Sequence, residues 1–224
     1  IDSIQYHCEG KRDELLPAAA YSLVQQVKER GVYSFCMCPG GFIVPAATAQ
    51  GEVVVNGMSP SKRNNLYANS GVVVEINVHQ DIPKYDHFGA LKGLEYQKNL
   101  EKLAFTAGGR TQTAPAQRLT DFVDGTLSNT LNDCSYQPGL KSAPLHSLLP
   151  KIIGGRLRTG FKEFGKKMKR YYTEEANVIG VESRTSSPVS IPRKENLEHI
   201  QIEGLYPCGE GGGYAGGIVS AAMD

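Results

Sequence analysis

The sequence has no excess of either charge: 24 Lys and Arg residues oppose 23 Asp and Glu residues among 224, a net charge of +1. Dedicated nucleic-acid-binding domains usually carry a strong basic surplus, so this balance argues against one. No run approaches the ~18 apolar residues that a membrane-spanning helix needs. We therefore expect neither nucleic acid nor a membrane as the main partner.

Paired cysteines are also lacking. The five cysteines are scattered and odd in number, which does not suit a disulfide framework in a chain of this length. The chain begins at Ile1 without an initiator Met and shows no signal peptide. We expect reduced thiols and a cytoplasmic location.

Several catalytic signatures are missing. Neither the G-x-S-x-G turn of a serine hydrolase nor the G-x-x-x-x-G-K-[ST] loop of an NTPase occurs. The histidines show no spacing typical of metal ligands, and no metal site is predicted from them (His7, His79, His87, His146 and His199). Hydrophobic residues at 40% and charged residues at 21% are ordinary for a globular protein of one large or two small domains.

The first half of the chain predicts short strands, and the second half predicts helices. Residues 32–37 and 42–44 flank Pro39-Gly40-Gly41 and suggest a hairpin, whereas Asn56-Gly57 predicts a turn after 52–55. Further strands are predicted at 21–27 and 72–78, with short extended pieces at 178–182, 189–191 and 200–202. Helices are predicted over 89–107, ended by Gly108-Gly109, and over 151–171, with an apolar stripe (Ile153, Leu157, Phe161, Phe164 and Met168).

Glycine is the one residue in surplus, with 25 of 224 residues, about 11% against a usual ~7%. Seven of these glycines lie between Gly204 and Gly217, after a predicted strand at 204–208 and before a predicted helix at 218–224. A glycine loop leading into a helix can bind an anion or a flat ring through its backbone N–H groups. The alternative is a tight packing turn between strand and helix.

The same segment, Gly204-Leu205-Tyr206-Pro207-Cys208 followed by the loop to Ile218, resembles the C-terminal flavin motif of bacterial FAD-dependent dehydrogenases, a family of NAD/FAD-utilising oxidoreductases. Residues 35–41, 114–117 and 184–189 are similar to other segments of that family. The start, Ile1 to Tyr6, resembles its middle, so the chain matches only the family's C-terminal part. Cys208 is a departure, since a small residue such as Ala is expected there.

The resemblance implies FAD as cofactor, with an N-terminal FAD-binding domain as partner, a small-molecule substrate, and NAD(P)H as a candidate partner. Residues 1–203 would form the substrate-side domain, and 204–224 the last flavin segment. It implies that the loop binds the flavin (Gly209, Glu210, Gly211, Gly213, Tyr214, Ala215, Gly216, Gly217 and Ile218). Because the unit that holds the ADP half is missing from the sequence, we expect the isolated chain to bind FAD weakly or not at all and to be inactive alone.

Two side-chain groups are candidates for chemistry. Cys36 and Cys38 are two residues apart, so on a strand they would face one side. They could be packed, could form a redox-active pair near a flavin, or could ligate a metal with Cys8 and His7. Arg184, Thr185 and Ser186 join a cation to hydroxyl groups and could grip a carboxylate or phosphate; a plain surface turn is the alternative.

The sequence thus predicts an α+β fold: a mixed or antiparallel sheet that could be barrel-like, two main helices, and a C-terminal strand, glycine loop and helix from an incomplete FAD-binding domain. The predicted function is the C-terminal part of a FAD-dependent oxidoreductase. The alternative is a non-catalytic RNA- or protein-binding domain of a flavoprotein that uses the basic helix 156–170. Its cations outnumber its acids (Arg156, Arg158, Lys162, Lys166, Lys167, Lys169 and Arg170 against Glu163).

Overall fold

The computed structural model describes residues 23–224, and the predictions that involve Ile1 to Tyr6, His7 and Cys8 lie outside them. The described chain divides into two compact units. Unit 1 comprises 23–76 and 100–182, and unit 2 comprises 77–99 and 183–224. The boundary predicted at residue 203 stays a prediction.

Helices and strands are mixed along the chain, which confirms the predicted α+β class. The strands are β1 Leu23–Val27, β2 Arg30–Cys38, β3 Phe42–Pro45, β4 Val55–Met58, β5 Asn69–Val74, β6 Ala114–Arg118, β7 Leu140–Ser142 and β8 Asn177–Ile179. The helices are a 3-10 helix Pro83–Leu91, then α1 Lys92–Ala107, α2 Leu119–Asp124, α3 Leu145–Leu148, α4 Lys151–Lys167, α5 Gly209–Gly212 and α6 Ile218–Met223.

Unit 1 contains three small sheets. Strand β2 lies between β1 and β5, and β3 pairs with β4 as a separate ribbon. In the third sheet β6 pairs with β7 in parallel and with β8 in antiparallel orientation. The sheets are open, and none of those described closes into a barrel.

The predicted hairpin between 32–37 and 42–44 is wrong. Strand β2 pairs with β1 on one side and with β5 on the other, so no edge is left for β3. After the turn at Gly40, β3 pairs instead with β4, where Val44 lies opposite Asn56. Asn56-Gly57 is therefore inside strand β4 and not in a turn. Pairing across the ribbon outweighs the local turn preference of this dipeptide.

The helix predictions are largely confirmed. The apolar stripe of α4 packs in the main core of unit 1, where Leu157, Phe161 and Phe164 are buried and Ile153 and Met168 contact them. Helix α1 ends at Ala107, directly before the predicted stop. Helix α6 occurs at the predicted place, but the predicted strand 204–208 does not form.

Candidate functional site

The glycine loop lies in unit 2 and packs on the segment 189–191. A single helical turn, α5, is followed by Gly213 in the left-handed conformation (φ 83°). The Ile191 N–H donates to the Gly212 carbonyl at 3.0 Å. A Cβ on Gly213 would lie 2.8 Å from the Val189 carbonyl oxygen. The loop is thus held against its own unit by close backbone contact that only glycine permits.

An ion pair fixes both sides of this loop. The Arg193 guanidinium donates to the Asp224 carboxylate at 2.6 and 2.9 Å and to the Pro207 carbonyl at 2.9 Å, and it lies 3.7 Å from the Tyr214 ring centroid. Asp224 also accepts from the Gly209 N–H at 2.9 Å. Hydrogen bonds from Arg193 and from the Gly209 amide lower the pKa of Asp224 below its ordinary value.

Two glycines of the loop are not required by any contact among the described residues. A Cβ on Gly211 or Gly216 would meet nothing within 4 Å, and neither residue has a positive φ. In the described part of the chain, the N–H groups of Ala215, Gly216 and Gly217 donate to no backbone carbonyl. Ile218, which follows, is 90% exposed. Among the described residues, the backbone of 215–217 is therefore an open strip whose N–H groups have no backbone acceptor. Such a strip fits the approach of a flat or anionic group such as a flavin.

Within unit 2, the segment with Arg184, Thr185 and Ser186 runs beside residues 92–99, the first part of helix α1. The Gln97 side chain donates to the Ser183 carbonyl at 2.7 Å, and a Cβ on Gly93 would lie 2.7 Å from the Pro188 carbonyl oxygen. Arg184 and Ser186 are exposed, whereas the Thr185 hydroxyl is buried with no hydrogen-bond partner among the described residues. The three side chains therefore do not form one surface, because Thr185 is turned inward.

Cys36 and Cys38 lie in unit 1, where β2 bulges. The register with β5 shifts between Phe35 and Cys38, and Cys36 has a positive φ of 48°. Cys36 is exposed, while Cys38 is buried and its thiol donates to the Cys36 carbonyl at 3.2 Å. The bulge breaks the two-residue alternation of a strand, so one cysteine is exposed and the other is buried, and the two do not face the same side as a regular strand would place them.

Glu182, which the sequence patterns did not indicate as a site residue, lies close to the bulge in the fold. Burial raises the pKa of the half-buried Glu182 carboxyl. Burial, the charge of Glu182 and the neighbouring Cys38 together raise the pKa of Cys36. A nucleophilic cysteine needs a lowered pKa, so this arrangement keeps the Cys36 thiol protonated. The one sequence signal for Glu182 is its position two residues before Arg184.

Glu182→Gln should speed alkylation of Cys36 by iodoacetamide several-fold at about pH 8, because removal of a negative charge lowers the thiol pKa and raises the thiolate fraction. The rate is measured by peptide mapping, which separates Cys36 from the exposed Cys208. Glu203→Gln removes an exposed carboxylate of unit 2 and serves as control. An unchanged rate in Glu182→Gln would contradict the electrostatic coupling.

Within residues 23–224 no group of three or more His, Cys, Asp and Glu side chains could hold a metal ion. The metal alternative for Cys36 and Cys38 thus has no third ligand among the described residues. In the same range, no helix combines the length and the apolar character needed to cross a membrane.

Part of the basic helix is used for packing inside unit 1. Arg156 donates to the carbonyls of Val27 and Lys28, and Arg158 donates to the Val123 carbonyl at 2.7 Å. Lys167 donates to the Val24 carbonyl. These contacts satisfy carbonyl groups at strand and helix ends, so three of the seven cations have a structural role.

Comparison with known proteins gives two matches. Residues 1–185 match the family described as FAD-dependent protein, C-terminal domain-like. An uncharacterized protein of Clostridium beijerinckii is 43% identical over 213 residues, which cover 93% of this chain and 39% of that protein. The chain therefore spans well under half the length of this relative. Cys36, Cys38, Glu182, Arg184 and Thr185 lie in the family match, and the glycine loop lies beyond it.

The family match thus covers unit 1, residues 77–99 of unit 2 and the start of the segment with Arg184. A match over 185 of 224 residues covers most of the chain. The chain belongs to the family of FAD-dependent protein C-terminal domains.

Proposed function

We propose that the chain is the substrate-side, C-terminal part of a FAD-dependent oxidoreductase, and that its glycine loop contacts the flavin. The observation that carries this proposal is the pair of glycines, Gly211 and Gly216, whose Cβ positions are open and whose backbone does not need glycine. A glycine that the chain's own packing does not require suits a position where another group approaches the backbone closely.

The family name supports FAD as the cofactor of the longer protein. The remainder of that protein would supply an N-terminal FAD-binding domain, since this chain spans only 39% of its relative. Exposed apolar side chains of α6 suit burial against that domain: Ile218, Val219 and Met223 are 90%, 72% and 82% exposed.

A bound flavin supplies hydride or electron transfer. The chain's residues would bind and orient it: the N–H groups of 215–217 would donate to its acceptor atoms, and the clamp of Arg193 and Asp224 would hold these donors in place. Preorganised backbone donors stabilise developing negative charge without a cost of reorientation during reaction. The exposed Arg184 and Ser186 would meet an anionic group of a small-molecule substrate.

Gly216→Val should weaken FAD binding by the full-length protein about tenfold or more, because the new side chain occupies the open strip while its Cβ meets none of the described residues within 4 Å. Flavin content per polypeptide is measured by visible absorbance after gel filtration, and affinity by titration of the apoprotein. Gly155→Val is the matched control, since Gly155 is exposed on α4 and its Cβ would also meet nothing within 4 Å.

The possible outcomes separate the two parts of the proposal. A full-length wild-type protein that neither purifies with flavin nor takes it up would contradict the cofactor. Normal FAD affinity in Gly216→Val, with a flavin-loaded wild type, would contradict only the role of the loop.

A further inference from the structure

The Glu182 carboxyl group has no compensating partner in the described part of unit 1. It is half-buried, and among the residues that the structure describes burial is the only influence on its pKa, with no cation or hydrogen-bond donor lowering it. Carboxylates removed from water are normally paired or hydrogen-bonded, because desolvation of an unpaired charge is costly. An unpaired carboxylate that solvent still reaches is a candidate for pairing with a ligand.

The position of this carboxyl is built into the β2–β5 pair. Gly71 on β5 pairs with Phe35 on β2, and a Cβ on Gly71 would lie 2.5 Å from Glu182 Oε2. Gly71 has no positive φ, so the backbone itself does not require glycine there. The missing side chain at residue 71 is what leaves room for the carboxyl.

An aromatic ring lies at the same place. The Cβ position of Gly71 is 3.0 and 3.1 Å from Cζ and Cε1 of Phe35, so the carboxyl and the ring are neighbours. A carboxylate beside an aromatic ring is a combination that binds organic cations, by charge and through the ring's π-system. A metal ion is less suited, since the described residues offer no group of three ligands.

The site can be reached from solvent at the bulge. Cys36 directly follows Phe35, is exposed and has a positive φ of 48°. The charge of Glu182 contributes to the raised pKa of the Cys36 thiol, so the two groups are close enough to interact electrostatically. Strained backbone of this kind clusters at ligand sites.

We propose that Glu182, Phe35 and the bulge at Cys36 form a binding site for a ligand that carries a primary ammonium group. The ammonium group donates to the Glu182 carboxylate and packs against the Phe35 ring. The site belongs to unit 1 and does not depend on bound flavin.

The test uses the full-length protein with selectively carbon-13-labelled glutamate carboxyl groups, assigned by loss of one signal in Glu182→Gln. NMR titration follows the protonation of Glu182 with n-propylammonium chloride as probe. The expected result is a saturable downward shift of the Glu182 pKa, because a bound cation favours the carboxylate. Neutral n-propanol and equal concentrations of sodium chloride are controls and should leave the pKa raised.

A second variant tests the binding site while the Glu182 carboxyl group is kept. Gly71→Ala should abolish the response to n-propylammonium while Glu182 remains, because the Cβ displaces the carboxyl from its place. The proposal is overturned if sodium chloride or n-propanol reproduces the shift, or if no saturable shift occurs. It is equally overturned if Glu182 of the full-length protein titrates at its ordinary pKa without probe, since the counter-ion is then part of the polypeptide.

Discussion

Gly40→Ala should lower the free energy of unfolding of unit 1 by about 2–4 kcal/mol. Gly40 has a φ of 57°, and a Cβ there would lie 2.1 Å from the Arg63 carbonyl oxygen. That neighbour is backbone, and its residue is fixed by a hydrogen bond from the Arg63 N–H to the Pro60 carbonyl at 3.0 Å. Because neither side can move like a flexible side chain, the clash adds to the cost of the left-handed conformation.

The change is measured by urea unfolding, combined with the rate at which a thiol reagent reaches Cys38, which is buried two residues before Gly40. Gly51→Ala is the matched control: its φ is 78°, but a Cβ would meet nothing within 4 Å. It should cost only about 1 kcal/mol, the price of conformation alone. Equal effects of both variants would show that the contact with Arg63 carries no energy.

Gly213→Ala should release the glycine loop from the segment 189–191 and destabilise this part of unit 2 by about 2 kcal/mol. The φ of 83° disfavours alanine, and the Cβ would lie 2.8 Å from the Val189 carbonyl oxygen and 3.0 Å from Ser190 Cα. The hydrogen bond from the Ile191 N–H to Gly212 should open with it.

Amide hydrogen exchange measures this effect, and exchange at Ile191 should be about 30-fold faster, the factor that corresponds to about 2 kcal/mol. Gly204→Ala is the control in the same unit, with a φ of 75° and no atom within 4 Å of its Cβ. If the two variants gave the same exchange at Ile191, the packing of Gly213 on Val189 would not be what holds the loop.

Patterns within one element were predictable from the sequence, and pairings between distant elements were not. The stripe of α4 and the stop after α1 depend on residues a few positions apart, so local spacing is enough to indicate them. The parallel pairing of β6 with β7 joins Ala114 to Leu140, and no local signal encodes it. Asn56-Gly57 shows the reverse case, where a strong local turn signal is overruled by the pairing of β4 with β3.

The candidate sites follow the same division. The density of glycines between Gly204 and Gly217 drew attention to the loop, but which of them are needed for folding depends on contacts with 189–191. Glu182 and Cys36 are 146 positions apart in sequence (182 minus 36), so their electrostatic coupling is a product of the fold. Whether neighbouring residues such as Arg184 and Thr185 share a surface also depends on packing, here against helix α1.

The interleaving of the two units along the chain has a consequence for synthesis on the ribosome. Residues 77–99 emerge before 100–182, yet their partners in unit 2 begin at Ser183. From residue 99 to residue 183 is 84 positions, on the order of 4–17 s at about 5–20 residues per second. For that interval the face of helix α1 that carries Gly93 and Gln97 is newly made and uncovered. Residues 77–99 therefore reach their final packing in unit 2 only after Ser183 and the residues that follow it have been synthesised.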